Sequence, residues 1–355
     1  MPARVIPPLT GASPTITAAM LTATNVPEAP PAAYNGGTTY GLDAEVSVAW
    51  ANNSFDVYRS LQAGNTGHTP ATSPTWWRFM GSTYGVYAAG TYALNDRVID
   101  TTAHLEYLSL VGSNTAALSD ETKWALQGPT NRWRAFDVLR GTGTVGPSGV
   151  SFTVTPGERV DAVALAGLVA DSFSISLTVD GVEKWAYTED LSSRETLTWS
   201  DYFFGAFSYR SVSAVFDIPK YSGAELTITF ERASGDVTVG AIWVGNAVSL
   251  GELETEPTLD RRNFSTIDRA FDGSAILIQR RTVPKHSWIT RPKKSQLKKI
   301  TPLVDLLNAV PAVWVGLDDT ADEYFEPLVL VAIYTRFTIT PGHPDPRIDL
   351  DLEET

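Results

Sequence analysis

The sequence predicts a mainly β protein of several small domains: small tandem β modules, a jelly-roll-like β-sandwich, and a C-terminal β-barrel or sheet domain carrying one helix. Three observations predict it. The 27 Gly and 22 Pro are scattered without a period, with Thr, Val, Ser and aromatics between them, which is the composition of short strands joined by tight turns. Apolar and polar residues alternate in several segments, as Leu226, Ile228 and Phe230 do against Thr227 and Thr229. One stretch occurs twice in tandem. The 355 residues also exceed what one core usually holds, since single cores seldom grow past about 250–300 residues.

Residues 1–33 carry Pro7, Pro8, Pro14, Pro27, Pro30 and Pro31 among Ala and Thr, and read as an extended N-terminal arm or linker. Such an arm is either loose or ordered against a neighbouring subunit. The tandem repeat follows, with copies at 34–82 and 83–130. Tyr40-Gly-Leu42 matches Tyr92-Ala-Leu94, and Tyr58-Arg-Ser60-Leu61 matches Tyr107-Leu-Ser109-Leu110. Asn65-Thr66 matches Asn114-Thr115, and Trp77 with Gly81 matches Trp124 with Gly128. Each copy is too small for a generous core, so Tyr40, Tyr58, Trp77, Tyr92, Tyr107 and Trp124 are the expected core of the modules.

Residues 131–250 read as the sandwich, with strands at Val150–Val154, Ser174–Val179, Ser213–Phe216 and Glu225–Phe230. Asp180-Gly181, Ser222-Gly223 and Ser234-Gly235 are turn signals. The stripe Val160, Val163, Ala164 and Leu168 has helical spacing, but is taken as a short strand and loop. Residues 251–355 form the last domain, with strands at Ala275–Arg281, Val313–Leu317, Leu328–Tyr334 and Phe337–Thr340. Leu297, Ile300, Val304, Leu307 and Val310 define one helix face. Pro302 either kinks that helix or opens a fresh one capped by Thr301.

The chain has net charge −13, opposite to the basic surplus of a nucleic-acid binder. With no cysteine, a disulfide scaffold, a thiolate zinc site and a thiol nucleophile are excluded. His68, His104, His286 and His343 lack metal-ligand spacing, and no metal or other cofactor is expected. The N-terminal segment lacks a signal-peptide run, and no stretch approaches the roughly 18 apolar residues of a membrane span. No hydrolase, metalloprotease or phosphate-loop motif is present, so the expectation is no enzyme. Asp318, Asp319, Asp322 and Glu323 lack calcium-loop spacing and read as a solvated turn. A basic stretch of Arg280, Arg281, Lys285, Arg291, Lys293, Lys294, Lys298 and Lys299 is expected to form a solvated helix face, in preference to a DNA contact. Alternatively it contacts the acidic C-terminal residues of a neighbour, namely Asp345, Asp349, Asp351, Glu353 and Glu354.

The first copy runs Tyr58-Arg-Ser-Leu-Gln62-Ala-Gly-Asn65-Thr-Gly-His68-Thr-Pro70, then Trp76-Trp77. This pattern resembles small chitin-binding-type carbohydrate-binding modules. The continuation Gly128-Pro-Thr-Asn-Arg-Trp133 and the segment Ala312-Val-Trp314-Val-Gly316 resemble a family of bacteriophage tail proteins, over most of residues 34–355. The resemblance implies a structural tail-tip or baseplate component at the distal end of the virion tail, made in the host cytoplasm without a signal peptide. Its implied partners are other tail proteins, copies of itself in a three- or six-fold ring, and a host surface glycan. Neither nucleic acid nor membrane insertion is expected. A purely structural role and a glycan depolymerase are the alternatives.

Comparing the copies narrows the binding residues. Trp76 aligns with Lys123, His68 with Ala117, and Trp50 has no aromatic counterpart near Thr102. These are residues the module fold does not demand. Aromatic faces stack on sugar C–H faces while polar neighbours orient the ring. Trp50 and Trp76 are therefore the expected platform, with Gln62, Asn65 and His68 as polar partners.

Overall fold

The computed structural model describes residues 2–354 apart from 12–13, 139–140, 148, 194–197, 205–207, 255, 270 and 321. It is mainly β.

The first residues do not form a free arm. Strand β1 (Pro2–Ile6) and strand β2 (Leu21–Thr24) are each built into a later domain of the same chain. Between them Ile16 is fully buried and the Thr15 hydroxyl donates to the Ile242 carbonyl at 2.9 Å. The prolines suppress local pairing, which leaves extended segments to be captured by distant strand edges.

The repeats contribute β3 (Glu45–Ala49), β4 (Ser54–Ser60) and β5 (Trp77–Val86), then β6 (Arg97–Asp100), β7 (Leu105–Ser109) and β8 (Trp124–Pro129). The six strands lie in that order in one continuous sheet. Each copy is an antiparallel triplet. The two triplets join through a parallel contact in which Gly85 faces Val98 and Val86 faces Ile99. Asn53 holds this seam: its side-chain amide donates to the Arg97 carbonyl at 2.8 Å and its own carbonyl accepts from Gly85 at 3.0 Å.

The sandwich holds β9 (Thr144–Gly146), β10 (Val150–Val154), β11 (Ala162–Ala166), β12 (Ser172–Val179), β13 (Val182–Asp190) and β14 (Ser192–Ser193). Helix α1 (Trp199–Phe204) follows, and then β15 (Ser208–Tyr209), β16 (Val212–Val215), β17 (Glu225–Glu231), β18 (Val237–Val239) and β19 (Ala241–Gly245). One sheet has the order β13-β12-β17-β10-β2, with β2 at its edge. Leu226, Ile228 and Phe230 point into the core, whereas Thr227 and Thr229 meet Thr153 and Ser151 hydroxyl to hydroxyl at 3.0 and 3.2 Å.

The opposing sheet, β16-β11-β19, is buried on both faces. Val163, Leu165, Ile242 and Val244 face the sandwich core, and Ala162, Ala164, Ala166 and Trp243 face the core of the next domain. The helix-like stripe at 160–168 is thus a doubly covered strand, which reads as a continuous apolar run and not as an alternating one.

The last domain contains β20 (Val248–Leu253), β21 (Thr258–Asn263), β22 (Thr266–Arg269), β23 (Ala275–Ile278) and β24 (Thr282–Arg291). After helix α2 (Leu297–Leu306) come β25 (Ala312–Val315), β26 (Val329–Thr340) and β27 (Arg347–Glu354). The order β20-β1-β25-β26-β27-β24 closes on itself through a β20–β24 pairing, so this is a six-stranded antiparallel barrel with β1 as one stave. Gly251 lies at the closure with φ +92°, and a Cβ there would sit 2.3 Å from the Arg291 carbonyl group. The two strands expected at 328–340 are one bent strand with an irregularity between Tyr334 and Arg336. Helix α2 runs through Pro302, so no fresh helix begins there. It packs Ile300 and Leu303 onto the barrel core, joined by Leu307 just past its end.

The basic and acidic segments meet within the chain. Strands β24 and β27 pair, and Arg281 bridges Glu354 at 2.6 Å. Beyond the barrel, β21, β22 and β23 extend as a ribbon whose residues are all exposed.

Candidate functional site

The two modules carry the same aromatic centre. Tyr34, Tyr40 and Trp77 form one triad, with ring centroids 5.9, 5.9 and 5.2 Å apart and interplanar angles of 25°, 90° and 70°. Tyr87, Tyr92 and Trp124 repeat it at 5.9, 6.0 and 5.3 Å with 19°, 88° and 72°. Stacked and edge-on rings bury large area in a module too small for an aliphatic core. Tyr58 is buried and stacks obliquely on Phe79, while its counterpart Tyr107 is half-buried. The third member of each triad, Tyr34 and Tyr87, escaped the sequence comparison. Their spacing of 53 residues, against 52 for Tyr40 and Tyr92, was the signal.

The polar frame is duplicated as well. Asn65 donates to the Ser60 hydroxyl at 3.0 Å, as Asn114 does to Ser109 at 3.0 Å. Asn65 is fully buried, so it braces the loop and cannot reach a ligand. The Trp77 indole donates to the His68 carbonyl at 2.7 Å, and Trp124 to the Ala116 carbonyl at 3.0 Å. The structural counterpart of His68 is therefore Ala116, one residue before the position that sequence alignment assigns.

The expected platform is divided. Trp50 pairs with Ser54 at the start of β4, whereas Trp76 pairs with Leu61 just past its end. Seven residues of strand separate them, or about 20 Å. One sugar ring cannot span that distance. At the far end, Trp76 lies parallel on His68 with centroids 4.0 Å apart, so one indole face is already covered. Gln62 completes this cluster by donating to the Thr75 carbonyl at 3.0 Å. At the near end, Trp50 is 59% exposed and its indole donates to Asp56 at 2.7 Å. The Ser82 hydroxyl donates to the other oxygen of Asp56 at 2.6 Å.

A buried carboxylate fastens the modules to the sandwich. Glu28, on the segment leading into the first module, accepts from Thr130 at 2.9 Å and from His104 Nδ1 at 2.9 Å, with Arg132 at 3.5 Å. Burial lowers the pKa of Arg132, an effect opposed by the charges of Glu28 and Glu45. A cleft of about 340 Å³ opens where the two modules meet the sandwich, lined by Ser82 and Tyr84 of β5, Arg97 and Glu106 of the second module, and Arg134 and Asp236 among others.

Among the described residues no group of three or more His, Asp or Glu could hold a metal ion, and no helix is long and apolar enough to cross a membrane. No family model, curated protein or solved structure matches the chain.

Proposed function

We propose that this chain is a structural component of a bacteriophage tail tip or baseplate, assembled in the virion from several copies, that presents its small modules to host surface glycans. The observation that carries the assembly half is the β21–β24 ribbon. Ile267 and Leu277 are 68% and 71% exposed, and Phe264, Phe271, Ile276 and Ile278 are exposed beside them. A two-stranded ribbon is at best marginally stable alone, and an apolar one invites a partner. Arg261, Arg262, Arg269, Arg280 and Arg281 outnumber its aspartates in a chain of net charge −13. A second copy offers the complementary acidic surface. The barrel, with β1 as one of its staves, and the sandwich sharing its middle sheet make a stiff bracket behind the modules.

A ring raises weak single-site sugar affinity through multivalency if all sites face one surface. The Trp76–His68–Gln62 cluster supports the glycan half. The separation of Trp50 from Trp76 and the burial of Asn65 favour a second reading, an assembly component with no sugar affinity in these residues. Light scattering and negative-stain imaging of the purified chain test the assembly. Three or six copies in a ring are expected, reduced to monomers by Ile267→Asp with Leu277→Asp. A wild-type monomer at all accessible concentrations refutes the proposal.

A further inference from the structure

The cleft between the modules and the sandwich holds a charged cluster that the module fold does not need. Glu106 is 2% exposed and is bridged by Arg97 at 2.5 Å and Arg134 at 3.0 Å. In the first module the matching register positions are Val57, opposite Gly81 as Glu106 is opposite Gly128, and Glu45, opposite Arg59 as Arg97 is opposite Leu108. That copy forms the same triplet of strands with neither residue.

Its geometry suits display. Each guanidinium is only partly covered, with side chains 35% and 31% exposed, and each carries five N–H groups, more than its partners use. Burial opposes the charge on Arg97, but hydrogen bonds and charges from Glu106 and Tyr84 outweigh it and raise the pKa above its ordinary value. The Tyr84 ring lies under that guanidinium, 5.3 Å from centroid to carbon. Asp236 and Ser82 stand on the same lining, and the Ser82 hydroxyl donates to Asp56, which also accepts from the exposed Trp50 indole.

We infer that this cleft is a saccharide subsite for a neutral, hydroxyl-rich sugar unit of a glycan chain that continues toward Trp50. The inference rests on the glycan-presenting reading and moves the site from the Trp76 cluster to the module–sandwich junction. The two guanidiniums supply oriented donors, the Asp236 carboxylate supplies an acceptor on the same lining, and the Tyr84 ring adds an apolar wall. The charged lining consists of two arginines and two carboxylates, so the cleft has no net charge to attract an anion. The volume falls within the range of small-molecule sites.

Calorimetric titration of the full chain with cellohexaose, maltohexaose and the hexamer of N-acetylglucosamine tests the inference, with an oligogalacturonate as the acidic comparison. At least one neutral hexamer is expected to bind. Tyr84→Ala and Asp236→Ala are each expected to weaken it at least tenfold, while Val182→Ala, on β13 and outside the cleft lining, leaves it unchanged. Asp236 is an exposed loop residue just before β18, so that variant tests the site without endangering the fold. Circular dichroism melts verify both cleft variants. Binding of the acidic oligomer alone, or of none, overturns the inference. Loss on Trp76→Ala with no effect of the cleft variants also overturns it, but leaves the glycan-presenting reading standing. Failure of all glycans removes the sugar role from both sites and leaves ring assembly to be judged by imaging.

Discussion

Lowering the pH is expected to weaken the barrel through one side chain, His286. It sits on β24 between Leu259 and Leu352, 5% exposed, and its Nδ1 atom has no hydrogen-bond partner among the described residues. Burial, helped by the positive charge of Arg261 and opposed by Glu354, lowers its pKa from 6.5 to about 4. The unfolded chain therefore takes up this proton first as pH falls, which favours unfolding. The stabilisation is intact above 6.5, is lost as pH drops from 6.5 toward 4, and levels off below that. The difference amounts to roughly 3 kcal/mol, of which about 2 kcal/mol is lost by pH 5. Amide hydrogen exchange of the β24 and β27 segments, corrected for intrinsic rates, reads the opening free energy of the barrel itself. Carboxylates elsewhere titrate over the same range, so the comparison is with His286→Phe, which removes only this proton. The variant should show a pH dependence shallower by that amount. Parallel curves for the two proteins would refute the reasoning.

Glu28→Ala should leave the buried Thr130 hydroxyl, and the half-buried His104 and Arg132, without their shared acceptor, at about 2 kcal/mol. The readout is a lower melting temperature together with protease sensitivity near residues 129–134. Trp124→Ala removes the largest ring of the second triad and should destabilise that module by about 4 kcal/mol while the barrel amides stay protected. Gly251→Ala forces a Cβ into the Arg291 carbonyl group at positive φ and should open the barrel seam at about 3 kcal/mol. Denaturant melts and exchange at Leu253 and Thr290 check it, and unchanged protection there contradicts the closure argument.

Strands with one wet face were legible in the sequence, because alternation survives there: Val150–Val154 coincides with β10, and Glu225–Phe230 lies within β17. The Asp180-Gly181 signal is also the two-residue turn joining β12 to β13, with φ of +51° and +75°. Doubly buried β11 lost its period and resembled a helix. Local patterning carries no information about remote strand partners, so the incorporation of residues 2–6 and 21–24 into two separate domains was not readable. The module repeat exposed which residues one copy had and the other lacked, and this correctly placed Trp76 opposite Lys123. It did not show the distance between Trp50 and Trp76, because both ends of a strand look adjacent to a loop in one dimension. Asn65 illustrates the opposite error: it has a matching Asn114, which was a sign of scaffolding.

The path of β1 has a kinetic consequence. Arg4 pairs with Val315, so the barrel cannot close until a stave from one end of the numbering finds an edge more than three hundred residues away. At ribosomal speeds of about 5–20 residues per second, that partner emerges roughly 15–60 s after β1 itself. The modules, whose strands pair with near neighbours, can fold during that interval, whereas β1 stays unpaired. Non-local closure of this kind is slow, and it leaves an apolar strand exposed meanwhile. The nascent chain thus passes through a stage in which its rigid bracket is the last part to set.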